Sequence, residues 1–372
     1  MSQHSSSDTP RSRRTLNWVA LGGFALIIAV ISILLLAGKT VDAVHPIGAL
    51  PQSEVEPPQS AESPVMPWNE NECVVSFVGG AAPAPSITLE KDKLYSDLPT
   101  PTNPGQIFAG WYRSEEAAAS LNTAERINGA RLVECPSGHE TLHAAWVTPE
   151  RVNEEKASIP ILMYHQFTDK PEGEDNWLRD NYMYIGDFEA HLQYIKEGNF
   201  YFPTWPELSA FLDGNLFLPS HSLIITDDDA DPTWVTMAAP LVEKYQVPVT
   251  SFVIGVDGPG PELSQWVWKR SHTYDMHSAG EDGQGRMVNW GAEAIAEDLQ
   301  KSADVVGGVK EVVAYPFGHH NDTTHEGLSL AGFDLGRTTE HGYVSADTPK
   351  YALPVIRMNY GMGVDVLSAA IG

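Results

Sequence analysis

The chain has 372 residues, enough for about two domains and their connections. A 42% apolar share and 10 Trp fit a globular protein with a substantial core, while a net charge of −26 excludes the basic footprint that nucleic-acid binding needs. Its two cysteines, Cys73 and Cys135, form no CxxC pair, which excludes a cysteine zinc cluster of the usual kind.

Residues 1–15 are polar and Ser-rich. Trp18 to Ala37 then carries no charge and is long enough to cross a hydrocarbon core of roughly 30 Å. Arg11, Arg13 and Arg14 precede it, which leaves the N-terminus in the cytoplasm. The expectation is a single-pass anchor over residues 16–38 that engages the cell membrane, with a cytoplasmic tail at 1–15 and everything later outside the cell. A cleaved signal peptide competes, but the apolar run is long and Ala37-Gly38 is a poor cleavage site. Residues 39–70, with Pro46, Pro51, Pro57, Pro58, Pro64 and Pro67, read as an extended spacer. Both cysteines lie beyond the anchor, where a disulfide can persist; two buried thiols are the alternative.

Residues 72–148 form one small unit. Cys73 to Val78 is strand-like and meets the turn pair Gly79-Gly80. Leu98-Pro99-Thr100-Pro101-Thr102-Asn103-Pro104-Gly105 leads to Phe108-Ala109-Gly110-Trp111-Tyr112, and Thr141-Leu142-His143-Ala144-Ala145-Trp146 closes the unit. This order resembles the internalin B-repeat family, which implies a small β-grasp-like extracellular module. Trp111 and Trp146 suit core packing better than sugar stacking.

Residues 158–372 alternate strand and helix signals. Ile159 to Tyr164 is strand-like, and Asp187 to Gly198 puts Phe188, Leu192 and Ile195 on one helical face with Asp187 as N-cap. Short helices are expected at Thr204–Leu212 and Pro232–Tyr245, flanking a strand at 222–226. Val249–Ile254 and Val312–Tyr315 read as strands, Glu293–Val306 and Thr323–Ala331 as helices, with strand-like pieces near Phe333 and Leu353. Repeated β-then-α order implies a parallel sheet long enough to curl into a barrel.

Chemistry concentrates at Thr226-Asp227-Asp228-Asp229, which ends the apolar run Ser222-Leu223-Ile224-Ile225. In α/β folds, reacting side chains stand at the carboxyl ends of such strands. Adjacent carboxylates repel and want a compensating cation, although a solvated acidic turn is the plain alternative. His272 and His277 favour the metal. No Gly-x-x-x-x-Gly-Lys loop occurs, which disfavours a phosphate or nucleotide enzyme.

Several motifs arrive in the order of one family. They are Pro160-Ile161-Leu162-Met163-Tyr164-His165, Thr226-Asp227-Asp228-Asp229-Ala230, Pro248 to Gly255, Ser271-His272-Thr273-Tyr274-Asp275-Met276-His277 and Ala314-Tyr315-Pro316-Phe317-Gly318. This region resembles the polysaccharide deacetylases (NodB-homology, carbohydrate esterase family four). The interval from His272 to His277 is similar to the poly-N-acetylglucosamine deacetylase branch. The resemblance implies an α/β fold, a distorted (β/α) barrel of the NodB-homology type over 158–372. With it would go the small β-rich, β-grasp-like N-terminal module and one transmembrane helix. It further implies Asp228 as general base and Asp229, His272 and His277 as ligands of a divalent metal, zinc before nickel or cobalt. The Phe317 N–H would serve the oxyanion, with packing alone as the alternative for that segment, and Arg357 would orient the base or the ligands or else be a surface arginine. No His follows His341 to act as the usual acid, so His165 takes that role; a buried His capping a strand is its equal competitor.

Three departures stand out. Asp227 replaces a Phe, Ala230 a Gly that permits a tight turn, and Ala314 an Arg that positions the base. Ala resists positive φ, so the loop at 230 is expected to differ, while Asp227 is expected either to raise the Asp228 pKa or to point to solvent. The implied function is a membrane-anchored extracellular enzyme removing N-acetyl groups from peptidoglycan or an exopolysaccharide. The alternatives are an inactive wall-binding protein and an O-acetyl esterase.

Overall fold

The computed structural model describes residues 69–96 and 98–372. The expected tail at 1–15, the anchor at 16–38 and nearly all of the spacer at 39–70 lie outside the described residues. Among those described, no helix is long and apolar enough to cross a membrane.

The first unit has strands β1 (Glu72–Val78), β2 (Ile87–Glu90), β3 (Ile107–Tyr112), β4 (Arg126–Ile127) and β5 (His139–Val147), with helix α1 (Glu115–Ser120) after β3. The sheet order is β2-β1-β5-β3-β4, and its central pair, β1 with β5, is parallel. Strand β1 buries Cys73, Val75 and Phe77 in strict alternation, as a sheet with one covered face requires. Cys73 and Cys135 form a disulfide, with their Cα atoms 5.8 Å apart. Trp111 is core: its ring lies 4.8 Å from that of Phe77, and its indole N–H donates to the Pro99 carbonyl at 2.7 Å.

Helix α2 (Pro149–Glu155) leads into the second unit. Its strands are β6 (Ile161–Tyr164), β7 (Gln166–Thr168), β8 (Tyr182–Tyr184), β9 (Ile224–Asp227), β10 (Val249–Val253), β11 (Val267–Ser271), β12 (Val312–Ala314), β13 (Leu335–His341) and β14 (Leu353–Arg357). Seven of them close a parallel barrel in the order β10-β11-β12-β13-β14-β6-β9, while β7 and β8 pair separately. Helices α3 (Ile185–Glu197), α4 (Trp205–Leu212), α5 (Ala239–Tyr245), α6 (Ala292–Val305), α7 (Asp322–Ala331) and α8 (Val364–Ile371) alternate with the strands. Alternate side chains of each barrel strand therefore serve different layers. Met163 and Ile224 join one core with Leu335, whereas Leu162 and Ile225 join another with Trp234.

Two helices differ from expectation. Helix α3 starts at Ile185 with Tyr184 before it and no side-chain cap, so Asp187 sits in the first turn, where a carboxylate suits the helix dipole. The helix expected at 232–245 opens with a π-helical turn, Trp234–Ala238, before α5. Pro240 lacks the N–H that would bond back to Thr236, and a wider turn accommodates that gap. Strand β11 and helix α8 had no sequence signal of their own. Val-Trp-Lys-Arg-Ser is neither an apolar run nor a clean alternation.

The two units share one core. Phe108 and Trp111 join the same cluster as Tyr201, Trp205, Leu216 and Met163. Arg126 is wholly buried between them, donating to the Phe217 carbonyl at 3.1 Å and lying 3.5 Å from the Glu207 carboxylate on α4.

Candidate active site

Five barrel strands deliver the candidate residues to one end. His165 follows β6, Asp228 and Asp229 follow β9, His272 follows β11, Phe317 follows β12, and Arg337 lies within β13.

Asp229 Oδ1 is 3.2 Å from His272 Nε2 and 3.2 Å from His277 Nε2. These ligand atoms all lie within 4.8 Å of one another. His272 Nδ1 bonds the Ala314 carbonyl at 2.8 Å. A carbonyl only accepts, so Nδ1 carries a proton and Nε2 is the nitrogen that can ligate a cation. Asp229 Oδ1 is buried without a hydrogen bond of proper geometry. A carboxylate oxygen and two imidazole nitrogens aimed at one point suit a divalent cation, and two His plus one carboxylate leave coordination positions open. Burial opposes the Asp229 charge, but His272 and His277 outweigh it and hold the carboxyl far below its ordinary value. Burial likewise disfavours charge on His277, yet Asp229 raises its pKa overall. Asp298 on α6 fixes the turn between the histidines, accepting from the Tyr274 N–H at 2.7 Å and the Asp275 N–H at 2.9 Å.

Asp228 is buried and faces two bases. His165 Nε2 is 3.7 Å from its Oδ2, and Arg337 donates to its Oδ1. Burial works against ionisation of Asp228, but Arg337, His165 and His272 prevail and its pKa is lowered. His165 moves down, because burial outweighs the pull of Asp228 and Asp229. Phe317 adopts φ +59° and lays its ring 4.9 Å from that of His277. That left-handed backbone is a costly conformation of the sort functional turns hold.

The structure corrects three expectations. Arg357 does not reach the base; it donates to Asn359 Oδ1 at 3.0 Å and to Asn181 Oδ1 at 2.5 Å. Arg337 is the guanidinium that holds Asp228, and it sits directly across from Ala314 in the parallel β12–β13 register. The sequence carried little signal for it, since β13 reads Leu-Gly-Arg-Thr-Thr-Glu-His and buries only its first four residues. Ala230 does adopt the turn, at φ +51°, immediately after Asp229 at φ +74°. The Asp228 pKa is lowered rather than raised, and Asp227 does not meet solvent. It is fully buried on the opposite side of the strand, with both oxygens unpartnered, and burial above all pushes its pKa well up.

Residues 218–336 match the family model described as polysaccharide deacetylase. The Bacillus subtilis protein YxkH, named for the same family, is 26% identical over 238 residues, covering 61% of this chain and 80% of that one. The poly-beta-1,6-N-acetyl-D-glucosamine N-deacetylase of Staphylococcus aureus MRSA252 is 25% identical over 253 residues, covering 59% of this chain and 85% of its own. Among solved structures, the Streptococcus pyogenes deacetylase PplD in complex with acetate aligns with a TM-score of 0.49 and 25% identity over 58% of this chain and 99% of that one. The chain is accordingly an enzyme of the carbohydrate deacetylase kind, a hydrolase of carbon–nitrogen bonds.

Proposed function

We propose that this chain hydrolyses N-acetyl groups on a polymer of N-acetylglucosamine, with a divalent cation, zinc foremost, held by Asp229, His272 and His277. One observation carries the reading: these three ligand atoms converge beside Asp228, a carboxylate kept ionised by Arg337. The bound cation supplies Lewis acidity to the amide carbonyl and to the attacking water. Asp228 takes the proton from that water as general base. His165, whose Nε2 lies 3.7 Å from Asp228 Oδ2, would protonate the departing amine. The Phe317 N–H, on its left-handed turn, would donate to the developing oxyanion.

The substrate class rests on the Staphylococcus aureus relative and on the spacing of the two histidines. We read residues 16–38 as a membrane anchor and residues 72–148 as an extracellular β-grasp-like module of the internalin B-repeat kind. The substrate is then peptidoglycan or an exopolysaccharide outside the cell.

The test is acetate release by the full chain from β-1,6-linked N-acetylglucosamine oligomers and from peptidoglycan, with and without zinc or cobalt. Asp228→Asn is expected to lower turnover by about 10²–10⁴-fold, the usual contribution of a positioned general base. Release that persists in Asp228→Asn or after removal of the metal would sink the mechanism. Release from O-acetylated sugars alone would make the enzyme an esterase.

A further inference from the structure

The turn between His272 and His277 does not hold itself together. The backbone groups of Thr273, Tyr274 and Asp275 pair with partners outside the turn and none with one another. The Thr273 and Tyr274 carbonyls accept from the Gly255 and Val256 N–H groups, each at 2.9 Å. The Asp275 carbonyl accepts from the half-buried Arg286 at 2.8 Å. The three N–H groups are all held, directly or through one hydroxyl, by α6. Asp298 takes two of them, one on each carboxyl oxygen. Thr273 donates the third to the Ser271 hydroxyl at 3.1 Å, and the Ser302 hydroxyl holds that of Ser271 at 2.7 Å.

Asp298 and Ser302 lie four residues apart on α6, hence on one face, and both are buried. The backbone they grip is strained. Thr273 is fully buried at φ +65°, a left-handed conformation that a β-branched residue keeps only when its surroundings impose it. Burial raises the Asp298 pKa, and the two N–H groups oppose that rise. An amide could not replace this carboxyl, because it offers one acceptor oxygen and would turn its NH2 towards the second N–H. We propose that Asp298, backed by Ser302, is a positioning residue of the metal centre: it fixes the turn so that His272 and His277 meet at one point, and so sets how tightly the cation is held. The inference rests on the metal reading of Asp229, His272 and His277 and adds what keeps the two imidazoles in place.

The experiment strips the full chain of metal and titrates it with zinc by calorimetry and with cobalt(II) by visible absorption. Asp298→Asn, Ser302→Ala and the control Arg286→Gln are run beside the parent. The zinc Kd is expected to rise about ten- to a hundredfold in Asp298→Asn, the usual loss when a group that orients metal ligands is removed. In Ser302→Ala the rise should be about three- to tenfold, the worth of one neutral hydrogen bond. Arg286 grips the same turn from its half-exposed side, so its loss should move Kd by less than about threefold. The cobalt band of Asp298→Asn should also change in position or intensity, since the imidazoles shift around the ion. A carboxylate that only supports the fold predicts a lower unfolding midpoint for the metal-free chain with Kd and cobalt band unchanged. That result overturns the proposal, as does an equal rise of Kd in Arg286→Gln. Should Asp298→Asn not fold, Ser302→Ala decides, a raised Kd supporting the proposal and an unchanged one overturning it. Should the parent bind no zinc that His277→Ala abolishes, the metal centre itself fails, and this inference falls with it.

Discussion

The ion pair between Arg337 and Asp228 is buried on both sides, with side-chain exposures of 0% and 3%. Removing one partner strands the other without water, a loss of about 3–5 kcal/mol in comparable pairs. Arg337→Met is therefore expected to lower stability by that amount, read from denaturant unfolding. It should also release Asp228 from the cation that lowers its pKa. The base would then ionise at higher pH, and the acid limb of kcat/KM would move upward; a limb that stays in place would show that Arg337 does not set the base. Ala230 carries a second prediction. A non-Gly residue at φ +51° is strained by roughly 1–2 kcal/mol, so Ala230→Gly should stabilise the protein by up to about 1 kcal/mol after the added backbone entropy is counted. Residue identities together with the family resemblance made the group of Asp229, His272 and His277 legible, and these three ligand atoms do converge. They did not reveal Arg337, since register across two parallel strands is invisible along one chain. They misplaced Asp227 because strand alternation allowed it a solvent-facing side, whereas both faces of β9 are buried.

At the scale of single elements, the strands with continuous apolar runs were the plainest. Strand β9 and strand β10 fall within a residue or two of where their sequences put them. Strand β11 was hidden because Lys269 and Arg270 are half-buried and Trp268 is not fully covered, so its pattern imitates a loop. The disulfide is the element-level prediction. It joins the first residues of β1 to the segment just before β5, across 62 positions of sequence. Closing a loop of that length restrains the unfolded chain by about 4 kcal/mol in the chain-entropy account. Reduction, or Cys73→Ala with Cys135→Ala, should lower the unfolding free energy by up to that figure, and an unchanged unfolding curve would count against it.

At the scale of the whole molecule, the two units do not stand apart. Phe217 packs in a cluster with Ala109, Tyr112 and Val147, its N–H bonds the Phe108 carbonyl at 2.8 Å, and Leu216 bridges to Phe108. A chain starting at residue 150 would return Leu216 and Phe217 to water at about 1.5–3 kcal/mol each, and would break the buried contacts of Arg126. Such a fragment is expected to be insoluble or to unfold roughly 10 °C below the full chain. An equal midpoint for both would show that the barrel needs no support from the sheet below it. Sequence pattern set residues 72–148 apart from 158–372 by motif, yet could not show this union, because the contacts that make it join residues about a hundred positions apart.

The central β1–β5 pair has a mechanical side. The two strands run parallel, and β5 leads through α2 into the barrel. A pull on the chain ahead of residue 72, resisted by the barrel, would draw β1 backward and β5 forward along their lengths. Such a load strains all the rungs of the ladder at once rather than opening them one after another. The bond from Cys73 to Cys135 sits at the end where that load enters, so part of the tension passes through sulfur before it reaches the β1–β5 ladder, which begins at Val74 and His139. The first unit is built like a tow hitch, with its strongest link at the point of attachment.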